Sequence, residues 1–216
     1  MKRIGTALLG LAVLTGVLAV PASAKKVAAV PTTLYMHGNM PVGDGLELVN
    51  GVQNSTNMKM DAVEPAAGAP KSMSYSFAGG NEQCAGNDLF PAWSGMVSGK
   101  LASDVKMTAH FAGAPSTVTA RIWLDVPFGS CTSSTTGAAD YREPNAQVEV
   151  TIPAGHNEVV FDFPGLKGAK VGAMMVVQLH TKTPTSQGRI LYDSADMATH
   201  IEFDCVPAKG STSCTS

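Results

Sequence analysis

The sequence predicts an all-β fold, an antiparallel β-sandwich of jelly-roll-like form with about ten to twelve short strands. Three observations carry this reading. Downstream of Ser98, apolar and polar residues alternate with period two in runs rich in β-branched and aromatic side chains. Turn-forming Gly, Pro, Asn and Asp interrupt those runs at roughly the 8–12-residue spacing expected of a sandwich. No segment of the mature region carries a convincing helical period, so the crossover helices that a parallel α/β sheet requires are missing.

The chain opens on an export signal. Lys2 and Arg3 precede an apolar run from Ile4 to Val20 that contains no acidic residue, and Ala22-Ser23-Ala24 forms a small-residue cleavage site. Residues 1–24 are therefore expected to be a signal peptide and the product to be secreted, with no transmembrane segment after cleavage. No cysteine follows the cleavage site, which argues against a lipid anchor. Cleavage leaves 192 of the 216 residues, enough for one domain with a full core. We divide them into a flexible mature N-terminus (25–31), one sandwich domain (32–206) and a C-terminal tail (207–216). The leader contains two of the 15 basic residues and none of the 17 acidic ones, so the formal charge of −2 becomes −4. The basic residues are scattered singly, which excludes the clustered Lys and Arg that nucleic-acid binding needs.

Before Ser98 the pattern gives three short strands, at 33–36, 58–63 and 72–77. The run 104–111 turns Val105, Met107, Ala109 and Phe111 inward. The run 117–126 does the same with Val118, Ala120, Ile122, Leu124 and Val126. With Gly113-Ala114-Pro115-Ser116 between them, they read as a hairpin whose solvent face sets Trp123 opposite Lys106, with Arg121 near Thr108 and Thr119 near His110. The run 146–152 and the return that carries Val159, Phe161 and Phe163 read as a second hairpin around Pro153-Ala154-Gly155-His156, in a register that places Val150 opposite Val159 and Val148 opposite Phe161. The run 173–180 begins apolar on both faces, as a central strand covered on both sides would. Runs 189–193 and 200–205 complete the set.

Four cysteines, Cys84, Cys131, Cys205 and Cys214, all lie beyond the leader. An even count in an oxidising compartment predicts two disulfides, with three possible connectivities. Pro207 and Gly210 let the short segment after Cys205 turn back to Cys214, so we pair those two and leave Cys84 with Cys131. No Cys-x-x-Cys motif is present, and no histidine stands at ligand spacing from a cysteine.

Signatures of catalysis are missing from the pattern. Residues 33–38 have the look of a strand feeding a His-Gly oxyanion loop, but no Gly-x-Ser-x-Gly elbow exists; His37 reads instead as a strand-end residue beside a turn. The five histidines never fall at His-x-His or His-x-x-x-His spacing. No cofactor is expected, except for a candidate structural calcium held by loop oxygens around Asn81, Glu82, Asn87 and Asp88 or around Asp193 and Asp196, with Asp88 and Asp193 the leading ligands. The one recognition signal is aromatic: Trp123, Arg121, Lys106 and His110 would form a face able to stack on a sugar ring and bond its hydroxyls. The alternative for Trp123 is a ring covered by a loop. Trp93 is expected to plug an end of the core.

Four segments, Cys84-Ala85-Gly86-Asn87, Leu89-Phe90-Pro91-Ala92-Trp93-Ser94-Gly95, Arg189-Ile190-Leu191-Tyr192-Asp193-Ser194 and Glu202-Phe203-Asp204-Cys205, together resemble uncharacterised β-sandwich modules of exported actinobacterial proteins. Some of these modules form the C-terminal accessory domain of secreted subtilisin-like proteases. The resemblance covers most of the mature chain and implies fold and location, not an activity. The sequence thus points first to a secreted, non-catalytic binding or adhesion module at the cell envelope, with cell-wall glycan or a surface protein as ligand. A structural or assembly protein of the envelope is the alternative, and an unrecognised secreted hydrolase ranks third.

Overall fold

The computed structural model describes residues 27–38, 58–74, 92–124, 131–132, 140–141, 143–181 and 188–215. The expected leader, the loop that carries Cys84 and Asp88, and the side chain of Cys131 lie outside them. The elements are β1 (Val30–Gly38), β2 (Met58–Asp61), β3 (Lys71–Ser74), β4 (Ala92–Met96), β5 (Gly99–Leu101), β6 (Val105–Ala112), β7 (Ser116–Leu124), β8 (Cys131–Thr132), β9 (Asp140–Tyr141), β10 (Ala146–Ile152), β11 (Asn157–Phe163), β12 (Lys170–Val171), β13 (Met174–Thr181), β14 (Arg189–Tyr192) and β15 (His200–Pro207). A 3₁₀ turn at Ala195–Met197 is the one helical piece among the described residues.

The fold is an all-β sandwich. One layer runs β10-β7-β13-β4, and the other runs β1-β15-β6, with β11 and β14 also on β6 and β3 beyond β14. The short strand β2 joins the layers by pairing with β1 on one side and β4 on the other. Pairing is antiparallel except where β2 meets β4 through Lys59 and Ser94. As the two-faced apolar run predicts, β13 is central, flanked by β7 and β4, with Met175, Val176, Val177 and Leu179 all buried.

The turns carry the chain differently from the sequence expectation. β6 and β7 do not pair: β6 lies against β11, from Val105 opposite Phe163 to Phe111 opposite Asn157. β7 lies against β10, from Ser116 opposite Ile152 to Ile122 opposite Ala146. Val150 therefore faces Val118 and Val159 faces Ala109, in place of the expected Val150–Val159 pair. Both turns are arches that cross from one layer to the other, and the Gly155 N–H donates to the Gly113 carbonyl at 2.9 Å, so each arch holds its neighbour. The physical reason is that alternation fixes which row of side chains points inward but not which strand lies alongside. A hairpin and an arch satisfy the same pattern. Here the arch sets Val105, Met107, Ala109 and Phe111 across a shared core from Val118, Ala120, Ile122 and Leu124. Phe111 and Phe161 meet edge to face at 6.1 Å within it, and Trp93 and Tyr192 do so at 5.7 Å.

Two glycines mark places of close approach. A Cβ at Gly95 would stand 2.9 Å from the Met60 carbonyl oxygen and 3.2 Å from Leu34 Cδ1, so only a bare backbone lets β4 pass β2 where the layers join. Gly99 adopts φ +153° and lies against the Cys205–Cys214 disulfide: a Cβ there would fall 2.5 Å from the Val206 carbonyl oxygen and 2.8 Å from Cys205 Sγ. The disulfide is the one expected at the C-terminus. It folds residues 208–215 back so that the Ser98 N–H donates to the Cys214 carbonyl at 2.8 Å and Val97 bridges Thr215.

Gly99→Ala should therefore destabilise the protein by about 2–4 kcal/mol in urea unfolding, through steric overlap on both backbone and sulfur. Gly155→Ala, where no atom stands within 4 Å of the new Cβ, should cost only about 1 kcal/mol of backbone strain.

Candidate functional site

The four residues expected to share a recognition face are divided between the layers. Arg121 and Trp123 project from β7 on the outer face of the β10-β7-β13-β4 layer, whereas Lys106 and His110 project from β6 on the outside of the other layer. The expected juxtaposition of Trp123 with Lys106 is thus corrected, because it depended on a β6–β7 hairpin that the arch replaces. Lys106 is exposed beside Asp162, with Nζ 3.8 Å from Oδ1. The His110 ring is half-buried with Nε2 3.9 Å from Glu158 Oε2. Burial, foremost, holds this imidazole below the ordinary histidine range, against the opposing pull of Glu158 and with a smaller push from His200.

Trp123 is fully enclosed at 0 % exposure, so it is no open stacking platform. It forms a small apolar cluster with Val176 on the outer face of its sheet, with Met174 packed against them, separate from the main core. The register explains the pairing, since Val176 stands directly opposite Trp123 and Gln178 directly opposite Arg121. Arg121 is 5 % exposed and Gln178 6 %, yet Arg121 Nε and Nη1 and Gln178 Oε1 are enclosed without a hydrogen-bond partner. Thr119, one place further along the same face, is also buried and donates to Glu149 Oε2 at 3.4 Å. Arg121, Gln178 and Thr119 thus form a polar strip on the sheet, with the Trp123 cluster at its end. Gln178 was missed at the sequence level, although a single amide inside the apolar run of β13 was a legible signal.

A second constellation surrounds His37 at the end of β1. The Asp193 carboxylate accepts from His37 Nδ1 at 2.8 Å with one oxygen and from Lys71 Nζ with the other. Lys71 also donates to the Gly38 carbonyl at 2.5 Å. His37 Nε2 lies 2.9 Å from the Val63 carbonyl and 3.2 Å from Asp61 Oδ1, and Asp61 pairs in turn with Lys59 at 2.7 Å. Asp193 adopts φ +59°, a conformation that turns the chain sharply out of β14 and aims its carboxylate at β1 and β3. Ser194 Oγ to the Gly68 carbonyl at 2.7 Å and the Ala195 N–H to the Ala66 carbonyl at 3.1 Å fasten the same corner.

Burial alone would push the Asp193 carboxyl up, but the hydrogen bonds and charges of Lys71 and His37 outweigh it and hold this group below the usual carboxylate range. Asp61 behaves alike: burial raises it, while the Lys59 and Val63 hydrogen bonds and the charges of His37 and Lys59 bring it below. Chemically the cluster is a lock. Both His37 nitrogens are engaged, and both carboxylate oxygens of Asp193, a residue expected as a calcium ligand, already meet Lys71 and His37. The other named calcium ligand, Asp88, lies outside the described residues. Next to the lock, burial and then the Asp193 charge push the Tyr192 phenol up to about 12, and its hydroxyl is enclosed without a partner, as is Trp93 Nε1.

No family model matches the chain, and no curated protein matches it. Among solved structures it is similar to an aminopeptidase from a marine-sediment Thaumarchaeota archaeon, at 13 % identity and a TM-score of 0.46, over 82 % of this chain and 37 % of that one. An α-amino acid ester hydrolase gives 10 % identity and a TM-score of 0.46, over 79 % and 35 %. A protein from Bacteroides thetaiotaomicron assigned provisionally to sugar binding gives 13 % and 0.35, over 77 % and 86 %. The chain spans little more than a third of the length of the first two. With TM-scores below 0.5, none of these likenesses assigns an activity or a ligand to it.

Trp123→Ala should cost about 3–5 kcal/mol in urea unfolding, the loss of a fully buried ring. For the ion cluster, both carboxyls are depressed in the folded state, so their stabilisation is present above pH 4 and is lost as pH falls through their folded values. The urea midpoint should decline below pH 4. Asp193→Asn should lower stability by about 2 kcal/mol at pH 7 and flatten that decline.

Proposed function

We propose that this chain is an exported, non-catalytic binding module that works at the cell envelope, related to the accessory sandwich domains of actinobacterial exported proteins. The observation that carries the binding role is the polar strip of β7 and β13. A sheet that encloses Arg121 Nε and Nη1 beside Gln178 Oε1 with no hydrogen-bond partner for any of the three supports a role for these residues beyond packing, because an enclosed polar group left unpaired costs folding energy that an apolar pair would not. The Cys205–Cys214 disulfide supports the export reading, since such bonds persist outside the reducing cytoplasm. Among the described residues no helix is long and apolar enough to cross a membrane. The engaged nitrogens of His37 support the non-catalytic reading.

Retention of the purified full chain on isolated cell-wall material tests the role directly. Wild-type protein should be retained, and Arg121→Gln should reduce retention at least tenfold while Lys106→Gln, on the opposite layer, leaves it unchanged. Equal retention of all three proteins would remove the strip from the proposal. In parallel, thiol-specific labelling of the unfolded, unreduced protein from its source should find no reactive sulfur at Cys205 or Cys214; labelling there would place the protein in a reducing compartment.

A further inference from the structure

We infer that three lysines gathered by β5 and β12, Lys100, Lys167 and Lys170, form a docking patch for a linear phosphate-bearing polymer of the cell envelope. This patch adds a second ligand site to the module proposed above; it uses the exported location from that reading and is independent of the β7–β13 strip. In the sequence Lys100 stands far from the other two, and no basic run joins any of them. The fold collects them, and all three are exposed. Antiparallel pairing of β5 with β12 sets Lys170 directly opposite Lys100, with Val206 of β15 on the other side of Lys100. Just before β12 the chain makes a tight turn, closed by the Ala169 N–H on the Leu166 carbonyl at 2.9 Å, and Lys167 stands in it beside Gly168, whose φ is +92°. Lys100 Cε lies 4.0 Å from the Cβ position of Gly168, so its side chain leans towards the turn, where Lys167 and Lys170 flank that glycine.

Electrostatics sets this corner apart. Like charges directly opposite on paired strands destabilise a sheet, so the Lys100–Lys170 pair weakens the free protein, and an anion bridging the two ammonium groups relieves it. No carboxylate of the described residues does so. The described lysines that pair with a carboxylate are Lys59, Lys71 and Lys106. Of the acids on adjoining segments, Asp104 accepts the backbone N–H groups of Leu166 and Lys167 with Oδ1, both at 2.9 Å, and the exposed Asp204, two residues before Val206, forms no ion pair with a lysine. Three unpaired ammonium groups on a chain of net negative charge fit a polyanion better than a single anion. Lysine meets phosphate as a point charge, whereas carboxylate recognition favours the planar fork of arginine, and no arginine lies on β5, β12 or the turn before it. A bilayer surface calls for apolar side chains to insert, but the large exposed hydrophobic residues, Val27, Val63, Met96 and Val160, all lie on other segments. Single-stranded nucleic acid calls for stacking rings, and these segments hold none.

The experiment titrates the full-length purified protein with poly(glycerol phosphate) of fixed length. Wild-type affinity should fall about tenfold between 50 and 200 mM salt, as release of two or three counterions requires. Lys100→Gln, Lys167→Gln and Lys170→Gln combined should weaken binding about tenfold at 50 mM salt and flatten that dependence, while Lys106→Gln, at a lysine already paired, should leave it within about twofold. The matching triple Lys→Arg variant keeps the charges and should stay within about threefold of wild type, which separates loss of charge from damage to the fold. No binding of poly(glycerol phosphate), or unchanged affinity in the triple Gln variant, overturns the patch. Tighter binding of poly-glutamate, of duplex DNA or of phosphatidylglycerol vesicles than of poly(glycerol phosphate) overturns the choice of ligand. Retention of Arg121→Gln on cell-wall material decides the strip by itself, so strip and patch fail separately.

Discussion

Two inward rows of side chains, one from β6 and one from β7, face each other across the core, and the connection between them has only a few residues in which to cross from one layer to the other. Once that crossing is made, β6 must find its partners elsewhere, in β11, β14 and β15, and β7 must find its own in β10 and β13. The second arch, between β10 and β11, follows from the first: it brings β10 to β7 on one side while β11 reaches β6 on the other. Dispersion and apolar burial across the gap are therefore what fix the topology, and backbone pairing completes it.

That constraint decides which residues share a surface. Because β6 and β7 belong to different layers, their polar rows point in opposite directions, and Lys106 and His110 are removed from Arg121 by the thickness of the molecule. What remains on the β7 side is defined by β13 and β10, whose registers place Gln178 and Gln147 beside the guanidinium, Glu149 beside Thr119 and Val176 beside the indole. The His37 corner has a different character: Lys71, Asp61 and Asp193 come from three separate strands or their ends, and their mutual neutralisation binds β1, β2, β3 and β14 together.

Much of the fold was legible in the residues. The inward rows of β6, β7, β10 and β11, the central position of β13 and the Cys205–Cys214 bridge all follow from alternation, apolar content and a short turning segment. Which strands pair was not legible, because a period of two records direction and is silent about neighbours. The same gap hid the site. Trp123 sits at a formally outward position, yet the outer face of a sheet can itself be covered, and nothing in Thr119-Ala120-Arg121-Ile122-Trp123 distinguishes a covered row from a wet one. Asp193 looked like a cation ligand in a polar turn; its positive φ and its distance in sequence from His37 and Lys71 concealed that its partners were cations of the protein itself.

The arrangement of β1 and β15 has a mechanical side. Val30, where β1 begins, lies opposite Cys205 near the end of β15, and the bridge to Cys214 keeps the following residues at that same edge. A load applied between the segments that precede Val30 and follow Cys214 would peel this strand pair open one rung at a time, instead of shearing all rungs together. Such geometry yields at lower tension than a pair of strands whose rungs must all shear at once.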